Sequence, residues 1–265
     1  MNKTEWLDRY AQDSEDRILL ARVLDQQTRS AQRGIPTHTA FLTPAEQVRS
    51  ADLLMAAAPG AGLLFGGYPD AERKLWAFLP DWLEEDLWQS GDDCPVCALR
   101  VTVPPAAELS HRDYLGSLMG LGITREKLGD LLLLEDGAQV LVLRETLPIL
   151  TSQWDKVGRY PLTLAPMALA DLTPAPSRTR TIHATVASPR LDGVLAAGFS
   201  IPRSRAVTLI RSGRVSLDHR PCDKADKLVE TGAVLTCRGL GKCVLTALGG
   251  TSRRGRLRLE LERYI

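Results

Sequence analysis

Apolar residues recur along this chain at two spacings, one helical and one strand-like. From residue 2 to 33, Trp6, Tyr10, Ile18, Leu19, Ala21 and Leu24 stand at helical intervals in a polar background, which predicts one or two helices. Thr43-Pro44-Ala45-Glu46 carries a capping threonine, a first-position proline and the glutamate of a capping box. That helix should run to about Ala58 and stop at Pro59-Gly60. Leu63–Phe65 reads as a short strand ending at Gly66-Gly67. Leu75–Leu79 and Leu99–Val103 read as strands closed by Pro80 and by Pro104-Pro105. Ser110 can cap a helix through Leu121, with Gly122 as its stop. Leu128–Leu134 and Ala138–Leu143, joined at Glu135-Asp136-Gly137, form a hairpin signal, and Thr146–Gln153 a further helix. Strand, helix, hairpin and helix in that order predict a small α+β sandwich starting near Leu75.

Residues 172–180 read as a linker or as the loop into a strand Thr181–Ala187. Ser188-Pro189 then opens a helix with Leu191, Val194 and Leu195 on one face, stopped by Gly198. Ser200-Ile201-Pro202 opens a second with Ala206, Leu209 and Ile210 inward, stopped by Gly213. Val215–Leu217, Val234–Arg238, Val244–Leu248 and Leu257–Leu261 supply strands. The fold class is α+β throughout: a mostly helical region 1–74, a central unit 75–172, and a C-terminal unit 180–265 of two short helices on a twisted sheet.

Composition excludes some classes. No run reaches the roughly 18 apolar residues of a membrane span, and no apolar segment follows Lys3 as a secretory signal requires. A cytoplasmic location with no membrane partner is the expectation. Five cysteines, an odd number, do not suggest a disulfide framework. Aromatic residues are 5% of the chain, too few for a stacking-rich single-strand binder. Charge is unevenly placed: residues 178–265 hold 17 basic and 7 acidic side chains, net +10, while residues 1–177 hold 16 and 25, net −9. Such asymmetry points to a polyanion for the basic part, although a solvated basic face explains it equally well until local pattern is added.

The pattern favours RNA. Arg190, Arg203, Ser204, Arg205, Arg211 and Arg214 fall at starts, ends and outer faces of the two C-terminal helices. Helix N-termini and guanidinium forks both donate to phosphate oxygens. Arg238, Lys242 and the cluster Arg253-Arg254-Gly255-Arg256 add charge. In the acidic part, Gly66-Gly67 followed by Arg73 and Lys74 could approach a backbone phosphate, or be a loop tied by its own ion pairs. Arg112, in His111-Arg112-Asp113, could touch RNA or serve a capping role. Cys94-Pro95-Val96-Cys97 has zinc spacing but lacks a second pair, so two ordinary thiols are the simpler reading. No set of residues suggests catalysis, and no metal or cofactor is expected.

Specific motifs extend this. Arg190-Leu-Asp192, Arg203-Ser-Arg205-Ala206, Leu209-Ile210 and Ser212-Gly-Arg-Val215 resemble the S4-like (alpha-L) RNA-binding fold over about 60 residues. Phe41-Leu-Thr-Pro-Ala-Glu46, Gly66-Gly-Tyr-Pro-Asp-Ala-Glu-Arg-Lys74, residues 109–122, Arg125-Glu-Lys-Leu-Gly-Asp130, Gly137-Ala-Gln-Val140, Lys156-Val-Gly158 and Arg238-Gly-Leu-Gly-Lys242 are similar to the YlmH family. The resemblance runs from Phe41 to the end and is poor over Asp81–Cys97. It implies an N-terminal part, a central RRM-like RNA-binding domain and the S4-like module. It also implies rRNA or tRNA on the large ribosomal subunit as partner, in quality control of stalled nascent chains. Where the family has arginine after Gly-x-Gly, this chain has Lys242, which keeps the charge and loses the fork. A monomeric binder, not an enzyme, is the expectation. An RNA-modifying enzyme with an appended module, and an interaction protein of the division apparatus, are the rival readings.

Overall fold

The computed structural model describes residues 1–174, 178–252 and 255–265. It divides into two compact units, Met1–Ala175 and Pro176–Ile265, and the division falls within the linker read from sequence.

The first unit opens with α1 (Lys3–Tyr10) and α2 (Ser14–Arg33), capped by Asn2 and Asp13. β1 (Thr37–His38), α3 (Pro44–Ala57), β2 (Leu63–Phe65) and β3 (Leu75–Phe78) follow. The Thr43–Glu46 capping box forms as the sequence predicts. The three strands pair antiparallel in the order β1-β3-β2. Leu75–Leu79, read above as the first strand of the central unit, is instead the middle strand of this sheet. Its partners are two and three residues long, too short to announce themselves as strands. Trp76 and Phe78 on one face pack with Val23 and Leu54 of the helices, and Trp76 Nε1 donates to Ser50 Oγ at 2.8 Å.

After α4 (Glu85–Ser90) comes a second sheet: β4 (Val96–Thr102), α5 (His111–Gly120), β5 (Leu128–Leu134), β6 (Gly137–Leu143), α6 (Leu147–Gln153), the small hairpin β7 (Lys156–Val157) and β8 (Tyr160–Pro161), then β9 (Thr163–Met167). Strand order is β5-β6-β4-β9 with all pairs antiparallel, the split βαβ arrangement of an RRM-like domain. Leu99, Val101, Val140 and Val142 face the helices, against Tyr114, Leu118, Leu150 and Trp154. Val96, Leu141 and Leu143 face the other way, against Phe41, Phe65, Leu75 and Trp88. All seven residues of β6 are buried, which explains its unbroken apolar run: a strand covered on both faces has no reason to alternate. Gly129 lets the layers meet, since a Cβ there would lie 2.9 Å from the Phe41 ring.

The second unit comprises β10 (Thr179–Val186), α7 (Leu191–Phe199), α8 (Arg203–Arg211), β11 (Val215–Leu217), β12 (Arg220–Pro221), β13 (Val234–Cys237), β14 (Gly241–Thr251) and β15 (Leu257–Tyr264). They form a six-stranded antiparallel sheet, β10-β15-β14-β13-β11-β12. Leu191, Val194, Leu195, Phe199, Ala206 and Ile210 press onto Val215, Leu235, Cys243, Leu245 and Leu261. Two details differ from the sequence reading. α7 starts at Leu191, with Arg190 in the cap position and no side-chain cap bond, so Ser188-Pro189 lies outside it. Gly198 does not stop α7; it lies within the helix, and Ser200 ends it in the left-handed conformation at φ 54°. Gly198 is small because a Cβ there would lie 2.8 Å from Cys243 Sγ.

Candidate RNA interface

Arg203, Ser204 and Arg205 form the exposed first turn of α8. No side chain caps that turn, and its N–H groups at 203–205 meet no acceptor among the described residues. Three donors and the positive helix end therefore face outward between two guanidinium groups. α7 is different. Its Leu191 N–H donates to Lys227 O at 2.8 Å and its Asp192 N–H to Ala225 O at 3.0 Å, while Gly193 N–H donates to Asp192 Oδ1 at 2.8 Å. The expectation that both helix starts could take phosphate is thus corrected: the α7 start is already satisfied by the 225–227 loop.

Asp192, 3% exposed, organises the arginines. Arg203 Nε donates to its Oδ2 and Arg203 Nη2 to its Oδ1, each at 3.0 Å, and Arg190 Nε lies 3.4 Å from Oδ1. Burial pushes this carboxyl up, but hydrogen bonds from Arg203 and Arg190 outweigh it and hold it below the usual range. The bidentate pair fixes both forks at the protein surface. Sequence reasoning quoted Asp192 within a motif and gave it no role. The available signal was one carboxylate among five arginines.

Arg205, Arg211, Arg214 and Arg238 are exposed. Arg238 N–H donates to Arg214 O at 2.9 Å, so the turn before β11 abuts the end of β13. Burial pushes the Cys237 thiol up, and the Arg214 and Arg205 charges pull it back. The structure therefore gathers Arg190 with Arg203 on Asp192, and Arg214 with Arg238. Lys242 is set apart, its ammonium 4.3 Å from the Tyr264 ring centroid. Arg256 Nη2 donates to Thr185 O at 2.7 Å. Arg253 and Arg254 lie outside the described residues.

The three candidates of the first unit behave differently. Arg73 is buried and is a structural residue: Nε donates to Leu128 O at 2.8 Å, and Nη2 to Phe41 O at 3.1 Å and Arg125 O at 3.2 Å. Burial and the Arg125 charge lower it to about 10. No phosphate can reach it. Lys74 is half-buried and its Nζ donates to Pro69 O at 3.1 Å. Arg112 is exposed on the first turn of α5, where Asp113 closes a capping box with Ser110. Cys94 is buried and Cys97 half-buried. No group of three or more His, Cys, Asp or Glu among the described residues could hold a metal.

Three domain descriptions match in sequence. "YlmH, N-terminal" covers residues 15–80, "Putative RNA-binding domain in YlmH" covers 96–171 and "S4 domain" covers 189–235. The Bacillus subtilis (strain 168) protein named "Ribosome-associated protein quality control protein P2" is 31% identical over 230 residues, 85% of this chain and 86% of that one. The chain belongs to the YlmH family. A solved chain described as "Cell division protein ylmH from Streptococcus pneumoniae" is 23% identical, covering 60% of this chain and 94% of its own, with a TM-score of 0.48. In this YlmH-family chain the first match ends at residue 80, just past β3, consistent with that strand's place in the N-terminal sheet. The S4 match spans α7, α8 and β11, and reaches β13. It thus contains Asp192 and the exposed first turn of α8. Among the described residues, no helix is long and apolar enough to cross a membrane.

Proposed function

We propose that this protein is a monomeric, non-catalytic RNA binder that acts in the cytoplasm on the large ribosomal subunit. There it grips rRNA or tRNA during quality control of stalled nascent chains. One observation carries the reading: the open first turn of α8, with Arg203, Ser204 and Arg205 exposed and Arg203 clamped by Asp192. Unpaired N–H groups at a helix start and oriented guanidinium forks are donors matched to phosphate oxygens. The +10 charge of residues 178–265 supplies the field that draws a polyanion to them. The name of the B. subtilis relative supports the ribosomal setting.

The test is co-sedimentation with bacterial ribosomes split into subunits, at low and high salt. The protein should travel with the large subunit and leave it as salt rises. Arg203→Ala with Arg205→Ala should weaken that association and flatten its salt dependence by about 0.7–0.9 for every phosphate no longer neutralised. Wild-type protein that stays at the top of the gradient at every salt concentration refutes the reading.

A further inference from the structure

An RRM-like sheet reads RNA with its helix-free face, where aromatic side chains on the two central strands stack on bases. Here those strands are β4, Val-Cys-Ala-Leu-Arg-Val-Thr, and β6, Gly-Ala-Gln-Val-Leu-Val-Leu. Neither has an aromatic residue. Most of the face is closed: Val96, Leu141 and Leu143 lie in one apolar cluster with Phe41, Phe65, Leu75 and Trp88. Arg100 there is paired with Asp136, and the groove of about 850 Å³ that borders Val96 and Ala98 has Arg144 as its one cation among the described residues. Gln139, 4% exposed, is paired through its amide with Thr173. Opening this face to RNA would expose the whole cluster to water.

The opposite side has a groove of about 420 Å³ between α5 and the β7–β8 hairpin, within the roughly 300–1,000 Å³ typical of ligand sites. Arg112 stands on one wall and Lys156 on the other, and both are exposed. Arg159, next in sequence after the lining residue Gly158, lies over the Tyr160 ring, 5.1 Å from its centroid. Two carboxylates also line the groove, Asp113 and Asp155; the first is occupied by Ser110 N–H at 2.8 Å and Ser110 Oγ at 2.6 Å. Gly116 forms part of the floor. It sits inside a helix, where glycine costs stability relative to alanine, yet a Cβ there would meet nothing within 4 Å. Internal packing does not require that glycine, and its bare backbone leaves room for a ligand to approach the helix closely.

We infer that the central domain contacts RNA through the α5/β7–β8 groove and not through its sheet, with Arg112 and Lys156 taking backbone phosphates above Gly116. This rests on the RNA-binding reading above. The test uses the full chain and a single-stranded 12-nucleotide RNA containing 4-thiouridine. Photocrosslinked peptides should include residues 111–120 or 153–160. Arg112→Gln with Lys156→Gln should lower the salt slope of binding by about 0.7 for each phosphate that the pair neutralised. Gly116→Leu, whose Cβ meets nothing within 4 Å and whose side chain would take up groove space, should weaken binding with the slope retained. Crosslinks confined to residues 188–215, or found on β4 or β6, overturn the inference. So does unchanged binding by the groove variants when Arg203→Gln with Arg205→Gln weakens it; the RNA reading then stands without the groove. Wild-type protein that binds neither this RNA nor ribosomes refutes both.

Discussion

Replacing Asp192 by asparagine tests the organisation of the interface. The side chain keeps its size and can still accept from Gly193 N–H, so the change removes chiefly the charge that pairs with Arg203. Charge-assisted hydrogen bonds contribute about 1.5–3 kcal/mol each, and Arg203 makes such bonds to both oxygens. Its side chain is 57% exposed, however, so water recovers much of the loss and screening reduces the rest. A net destabilisation of about 1–2 kcal/mol remains. At a urea slope of roughly 1–3 kcal/mol/M, the unfolding midpoint of the second unit should fall by about 0.5–1 M. The five tryptophans, Trp6, Trp76, Trp82, Trp88 and Trp154, all lie in the first unit. Tryptophan fluorescence is therefore an internal control that should not shift, while hydrogen exchange of peptides from α7 and α8 reports the loss. The effect also has a pH signature. The Asp192 carboxyl titrates below its usual range in the folded protein, so its contribution is full above about pH 4, the unfolded value. It is lost as pH falls through the lower folded value. The difference between wild type and variant should be constant from pH 7 to pH 5 and shrink below pH 4. No shift at pH 7, or the same shift at pH 3, refutes the account.

Arg73→Met should destabilise the first unit by about 3 kcal/mol, since three bonds from a buried guanidinium disappear; the tryptophan transition should move while the salt slope of RNA binding stays. Gly198→Ala should cost about 1 kcal/mol despite alanine's better helix propensity, because its Cβ lands on Cys243 Sγ. In a Cys243→Ala background that cost should vanish in the same urea titration. Thiol titration of native protein at pH 8 should label Cys222 first and leave Cys94, Cys237 and Cys243 unmodified until urea is added, because those three are buried. Burial also pushes the Cys243 thiol up to about 12; rapid labelling of Cys243 would contradict it.

Features set by neighbours in sequence were legible. The Thr43–Glu46 capping box, the hairpin at Glu135–Gly137 and the two C-terminal helices depend on residues a few positions apart; the box and the hairpin form where expected, and both helices form, with α7 starting and ending later than its cap signals indicate. Features set by distant chain were not. β7, β8 and β9 carry Pro161 and Pro166, which weaken a strand signal yet are tolerated here because β9 lies at a sheet edge. Arg73 looked like a phosphate ligand because its spacing does not show that Phe41, Arg125 and Leu128 turn their carbonyls onto it. The arginines of α8 were found by charge and position. Asp192, which aims one of them, needed the fold.

The two α/β units solve their surface problem in opposite ways, and this constrains where RNA can bind. In the first, the helix-free face of the β5-β6-β4-β9 sheet is covered by the N-terminal sheet, leaving the helix side exposed. In the second, the helix-free face is polar and carries charges of both signs: Glu260 lies across from His183, Glu262 from Thr181 and Arg258 from Thr185, and Lys242 lies over the Tyr264 ring. Charges of both signs leave that face without a one-signed field for a phosphate backbone, while Arg203 and Arg205 stand on the helix side. Both units thus offer RNA their helices. Their shares of the binding energy must differ, since the charges are −9 and +10 for residues 1–177 and 178–265. Counterion release scales with phosphates neutralised, so the arginines of α8 and of the turn before β11 should set most of the salt slope. The α5/β7–β8 groove, with two or three cations in an acidic unit, adds position more than affinity. Its removal should alter where the RNA lies against the protein more than whether it stays bound.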